Sequence, residues 1–140
     1  MKTWYGSAGV CINDKSEILM VLQGTPEEIK TWSIPSGGLE KGETFEVCCK
    51  REIEEETGYL VNIVQELQIK KGFYEEHDLN YEAHYFLVKV IGGSRKIQDP
   101  DQLIYDIRWV SLESLKTLEL TFPEDREYLL SFIQKDEAVK

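Results

Sequence analysis

The stretch GGLEKGETFEVCCKREIEEETGY, residues 37–59, constrains the fold more than any other part of this chain. Three glycines within residues 36–42 predict a compact loop without regular structure. Residues 44–56 then predict a helix, with Thr57-Gly58 as its stop. Four carboxylates, Glu52, Glu54, Glu55 and Glu56, crowd its end. Like charges at i,i+3 and i,i+4 oppose a helix, and negative charge at a helix C-terminus meets the wrong end of the macrodipole. In a chain of net charge −10, this local strain requires a compensating partner.

A helical wheel at about 100° per residue shows where the partner must sit. Phe45, Cys49, Glu52 and Glu56 fall in one stripe, flanked by Cys48 and Glu55 on one side and Ile53 on the other. Glu54 points away, toward solvent. The apolar inward face therefore runs directly into a carboxylate face, and three inward carboxylates without compensation are very costly. Arg51 can pair with one or two of them, while Lys50 lies off the stripe. A solvated acidic surface explains Glu54. A hard divalent cation such as Mg²⁺, which takes oxygen ligands and keeps waters that a phosphate can replace, explains the glutamates on the apolar stripe. It would also turn both helix penalties into attractions. The wheel alone leaves both readings open.

The rest of the chain narrows the setting. At 140 residues it predicts a single domain, residues 1–140, with a sizeable core. The acidic balance argues against polymeric nucleic acid or an anionic membrane as partner. A small phosphorylated ligand stays compatible, because a metal reverses the local sign. Cys11, Cys48 and Cys49 are odd in number and lack zinc spacing, which fits a reduced cytoplasm. No apolar run approaches the roughly 20 residues of a membrane span, and the N-terminus has no apolar leader core.

Residues 10–12 and 18–22 predict two strands around a turn, and residues 32–34 a short strand before Pro35. Residues 59–69 and 81–90 are β-rich around a polar loop, and residues 103–110 predict a further strand. Ser111 caps a short helix to Leu115. Thr121-Phe122-Pro123-Glu124 reads as a capping box before a last amphipathic helix carrying Leu129, Leu130, Phe132 and Ile133. The class is α+β, or a mixed sheet between helices.

Gly37, five residues, Glu43, seven residues, then Arg51-Glu52-Ile53-Glu54-Glu55-Glu56-Thr57-Gly58-Tyr59 resembles the Nudix box, which specifies residue types over a 23-residue window. Trp32-Ser33-Ile34-Pro35 is similar to the strand entering that box, and the segment from Arg108 to Leu115 to the family's closing strand and helix. The resemblance covers about residues 6–118. It implies the α+β Nudix fold, a mixed β-sheet sandwiched between α-helices (α/β/α). It also implies hydrolysis of a diphosphate linked to another group, commonly in nucleoside di- or triphosphate derivatives, by water attack on phosphorus with Mg²⁺ or Mn²⁺.

By the same resemblance, Glu52, Glu55 and Glu56 bind the metal, and one of them orients or deprotonates the water. Arg51 holds a neighbouring carboxylate and Glu43 buttresses the loop–helix junction. Gly37 and Gly42 allow a tight backbone. Ser36 stands where many members have glycine, and its carbonyl is a candidate metal ligand. Gly37, Gly38, Tyr74 and Asp106 are candidate substrate contacts. Asp99, Asp101 and Asp106 are candidates for an acid before the last strand. Trp4, Tyr5, Phe73, Tyr74 and Tyr85 are aromatics able to stack a base, although strand aromatics more often belong to a core. His77 and His84 read as solvated loop and strand-face residues, and the cysteines as packing residues. Homodimers among relatives suggest the same here by analogy. Two other classes remain: a Nudix-fold nucleotide sensor without catalysis, and an acidic interaction module.

Overall fold

The computed structural model describes residues 2–97 and 103–139. Seven strands and three helices follow in the order β1 (Lys2–Cys11), β2 (Ile18–Gln23), β3 (Thr31–Ser33), β4 (Ser36–Gly38), α1 (Phe45–Thr57), β5 (Tyr59–Tyr74), β6 (Leu79–Gly93), β7 (Ile104–Val110), α2 (Leu112–Leu115) and α3 (Asp125–Ala138). One sheet has the order β4-β1-β6-β5, the other β3-β2-β7. β1 runs parallel to β6 and antiparallel to β4, which makes the larger sheet mixed.

The period of two along the strands divides the core. Val10, Ile18, Met20 and Tyr85 pack in one cluster with Leu129 and Ile133 of α3. Cys11, Leu19, Val21, Phe86 and Val88 pack in another with Cys49 and Ile53 of α1. The layers are therefore helix, sheet, helix. Gly9 sets the spacing on the α1 side: a Cβ there would overlap Ile53 Cδ1 and lie 3.2 Å from Cys49 Sγ. None of the helices among the described residues is long and apolar enough to cross a membrane.

α1 begins and ends as its sequence demands. Thr44 Oγ1 accepts from the Val47 N–H at 3.2 Å. Gly58, at φ +82°, donates its N–H to Glu54 O at 2.8 Å, the left-handed closure that glycine permits.

Several elements differ from expectation. Residues 36–38 form strand β4, not an irregular loop, with Gly6 opposite Gly38 and Ser7 opposite Gly37. Its backbone N–H and C=O groups need partners, and β1, which starts at Lys2, supplies them. β5 and β6 continue past their apolar stretches to a short 3₁₀ turn, Glu75–His77. The capping box does not form: Glu124 is the N-cap of α3 without a side-chain bond, and Thr121 Oγ1 lies 2.6 Å from Thr31 Oγ1.

Candidate active site

Arg51 is the hub where α1 meets β4. Its Nε donates to Glu43 Oε2 at 2.6 Å and its Nη2 to Glu43 Oε1 at 2.8 Å, a two-pronged pair. Nη1 reaches Glu52 Oε1 at 2.7 Å and Glu55 Oε2 at 3.2 Å. Nη2 also donates to Gly38 O at 3.0 Å, and Glu40 lies 3.1 Å from Nε. The bond to Glu43, foremost among these contacts, raises the guanidinium's proton affinity. The same bond holds the Glu43 carboxyl below its ordinary range. Glu43 Oε1 also accepts the Glu40 N–H at 2.8 Å, which ties the loop to the helix.

The other carboxylates lie deeper. Glu56 is only 7% exposed and accepts the Ser36 N–H at 3.3 Å. Glu52 lies within hydrogen-bond reach of Glu56, and burial raises its carboxyl above the ordinary range against the opposing pull of Arg51. Gly37 makes room for it: a Cβ there would overlap the Glu52 carboxylate. That is a requirement for space. Gly42, by contrast, takes φ +83° and serves the turn as expected. Glu54 is exposed. Cys48 and Cys49 are buried, and burial pushes both thiols up, Cys49 to about 12.

Among the described residues, no three His, Cys, Asp or Glu side chains are gathered closely enough to hold a metal ion as they stand. The donor set nevertheless fits a hard cation. It is all oxygen, which such ions prefer.

Beside the cluster opens a cleft whose lining includes Trp4, Ser36, Tyr74, Tyr81, Phe122 and Asp125. Asp125 is 6% exposed. It accepts the Tyr85 hydroxyl at 2.8 Å and Lys70 Nζ at 3.3 Å, while Lys70 also reaches Glu124 at 2.6 Å. Tyr85 itself is core, with its ring against Tyr128. Tyr5 and Phe73 are exposed, and Tyr74 packs on Tyr81 with ring centroids 4.8 Å apart.

Asp106 stands on β7 in a clasp of two arginines. Arg95 Nη2 donates to Oδ1 at 2.6 Å and Arg108 Nε to Oδ2 at 2.9 Å. None of these contacts ties it to α1 or β4. Asp99 and Asp101 lie outside the described residues. His77 is in the exposed turn. His84 is not a simple solvated face residue: it stacks on Phe45 at 3.5 Å between centroids, with Glu66 and Glu82 at its two ring nitrogens. Lys70, Tyr81, Phe122 and Asp125 escaped the sequence reading. No local motif marks them, because β5, β6, α3 and the segment before α3 each contribute one.

Residues 4–132 match the family model described as NUDIX domain. An ADP-ribose pyrophosphatase of Bacillus subtilis (strain 168) is 33% identical over 141 residues, covering 95% of this chain and 74% of that protein. The 8-oxo-dGDP phosphatase NUDT18 of Mus musculus is 32% identical over 114 residues, covering 81% of this chain and 34% of that protein. The chain spans 27%, 34% and 65% of the length of the first three curated relatives it matches. A solved NUDIX hydrolase from Nitrosomonas europaea superposes with TM-score 0.79 at 21% identity, covering 99% of this chain and 90% of that one. That likeness concerns the fold.

Proposed function

Because the chain belongs to the Nudix family, we propose that it is a Mg²⁺-dependent hydrolase, one domain over residues 1–140, that cleaves a phosphoric anhydride in a nucleoside di- or triphosphate or related nucleotide derivative. One observation carries the reading: Arg51 holds Glu52 and Glu55 from one nitrogen while β4 ties down the buried Glu56. Acidic helix ends on a solvated surface have no reason to be fixed this way.

Glu52, Glu55 and Glu56, with the carbonyl of Ser36, would hold Mg²⁺ or Mn²⁺. When bound, that ion offsets the charge that builds on the phosphate oxygens. Arg51 and Glu43 keep the carboxylates from rotating away, which matters because phosphoryl transfer depends chiefly on positioning and charge neutralisation. One glutamate orients the attacking water and accepts its proton as the new O–P bond forms and the bridging P–O bond breaks. Gly37 and Gly38 bring backbone close to the substrate, and Tyr74 contacts it from the cleft. The substrate is a small nucleotide, in the cytoplasm, and not a nucleic-acid polymer.

The test is a hydrolysis screen with Mg²⁺ and Mn²⁺ over ordinary and oxidised nucleoside triphosphates, ADP-ribose, nucleotide sugars and dinucleoside polyphosphates. Glu55→Gln and Glu56→Gln should lose most of the turnover while keeping the native melting curve. Nucleotide binding without cleavage would replace this reading with a sensor. An absence of saturable Mg²⁺ binding would leave an acidic interaction module.

A further inference from the structure

His84 keeps only 12% of its side chain exposed and has no part in the proposed hydrolysis. Its ring lies flat on Phe45, with 3.5 Å between centroids and 11° between planes. Glu66 Oε1 stands 3.2 Å from Nδ1, and Glu82 Oε2 stands 2.8 Å from Nε2. Lys71, 3.6 Å from Glu82, secures one of these carboxylates in turn. A carboxylate at each ring nitrogen fixes the plane of the ring, because turning it in either sense weakens a directional contact. A histidine placed only to be solvated has no use for such orientation.

Phe45 is the first residue of α1, and two neighbouring strands grip it. His84 of β6 takes its ring. Ser7 of β1, which faces His84 across the ladder and is 1% exposed, donates its hydroxyl to Phe45 O at 2.7 Å. Ser7 also pairs with Gly37 of β4, the residue whose missing Cβ leaves room for the Glu52 carboxylate. One row across the sheet, Gly37, Ser7 and His84, therefore holds both the start of α1 and the place of Glu52. Phe45 and Glu52 are separated by about 10 Å of helix. Two turns without a kink-forming residue carry a shift from one to the other. The residues just before Phe45 extend the coupling: Thr44 caps α1, and Glu43 pairs with Arg51.

We propose that His84 is a positioning residue for the hydrolysis. Clamped by Glu66 and Glu82, its ring sets the seat of Phe45, and through it the placement of Glu52 and Arg51 two turns further along α1. It acts through Phe45 rather than on the substrate. The inference rests on the hydrolase reading above and adds to it a residue outside the acidic helix and its loop.

His84→Ala should lower kcat for the best compound of the screen about 10- to 100-fold, the cost of displacing a positioned group by up to about 1 Å. KM should change little, because the loss falls on the transition state. His84→Phe, which keeps the stack, should recover most of it. Phe45→Leu should reproduce the loss, and the double variant should lose little more than either single one, because the two rings act as one unit. Melting curves on the same samples keep every assay well below unfolding. Should His84→Ala not fold, His84→Gln, which removes the ring and keeps a polar group between the glutamates, takes its place. Unchanged kcat without the ring, a loss that His84→Phe does not recover, or fully multiplicative losses in the double variant overturn the proposal.

A second measurement needs neither metal nor turnover. The backbone ¹⁵N–¹H signals of the full chain in EDTA are compared between wild type, His84→Ala and His84→Phe. His84→Ala should shift the amides of Gly37, Arg51 and Glu52, and His84→Phe should leave them near their wild-type positions. Shifts confined to Phe45 and the strand neighbours of His84 overturn the proposal. Remote shifts in a protein that hydrolyses nothing in the screen would sink the hydrolase reading and leave the coupling of His84 to Glu52 standing. Hydrolysis by the wild type, with those amides unmoved in His84→Ala, would do the reverse.

Discussion

Arg51→Ala removes the cation at the centre of four carboxylates, and its cost follows from the contacts it leaves behind. Glu43 loses a two-pronged partner, and Glu52 and Glu55 each lose a nitrogen donor. The side chains of Arg51, Glu43 and Glu52 are only 21%, 13% and 14% exposed. Breaking a fully buried pair costs about 3–5 kcal/mol, and hydrogen bonds to charged groups contribute about 1.5–3 kcal/mol each. Partial exposure puts the loss near the bottom of the first range, about 3 kcal/mol. With an unfolding entropy of about 2.1 cal/mol/K per residue, a chain of this length loses about 3 °C per kcal/mol, so Tm should fall by about 10 °C. Thermal unfolding followed by circular dichroism measures it. Arg51→Lys should recover less than half of the loss, because one ammonium cannot replace the planar fork. A drop of less than about 3 °C in Arg51→Ala would refute the view that this side chain holds the cluster together.

Two further outcomes follow from the same geometry. Gly37→Ala should displace the Glu52 carboxylate, whose place the new methyl would take. Since a misplacement of about 1 Å costs on the order of 100-fold, turnover should fall that far while Tm changes little, as activity and melting assays on one sample will show. Asp106 should appear in stability rather than turnover. Burial pushes its carboxyl up, but the Ile107 N–H, Arg108 and Arg95 outweigh that and hold it below the ordinary range. A carboxyl whose proton affinity is lowered by folding contributes stability at neutral pH and loses it as pH falls through the folded value. The Tm gap between wild type and Asp106→Asn should therefore be widest near neutrality and close on acidification. A gap that widened in acid would contradict the assignment.

The acidic helix and its glutamates were legible because they lie in 23 contiguous positions, where helical period and charge can be read together. The wheel placed Glu52 and Glu56 inward and Glu54 outward, and their exposures agree. β4 was hidden because glycines punctuate a sequence locally, whereas its ladder partner lies 30 residues back on β1. The capping reading of Thr121 failed for a similar reason, its hydroxyl being taken by Thr31 from 90 residues away. The cleft was the least legible part. Trp4, Lys70, Tyr81 and Asp125 are brought together only by the pairing of β1, β6 and β5 and the packing of α3. No periodicity within any one of these segments marks them as neighbours.

In the proposed reading, Glu52, Glu55 and Glu56 together form a cation site. Titration of the protein with Mn²⁺, followed by the loss of the free ion's EPR signal, tests it directly. Wild type should show saturable binding that Mg²⁺ displaces and that Glu56→Gln abolishes without altering the melting curve. Binding of equal strength in wild type and Glu56→Gln would contradict it.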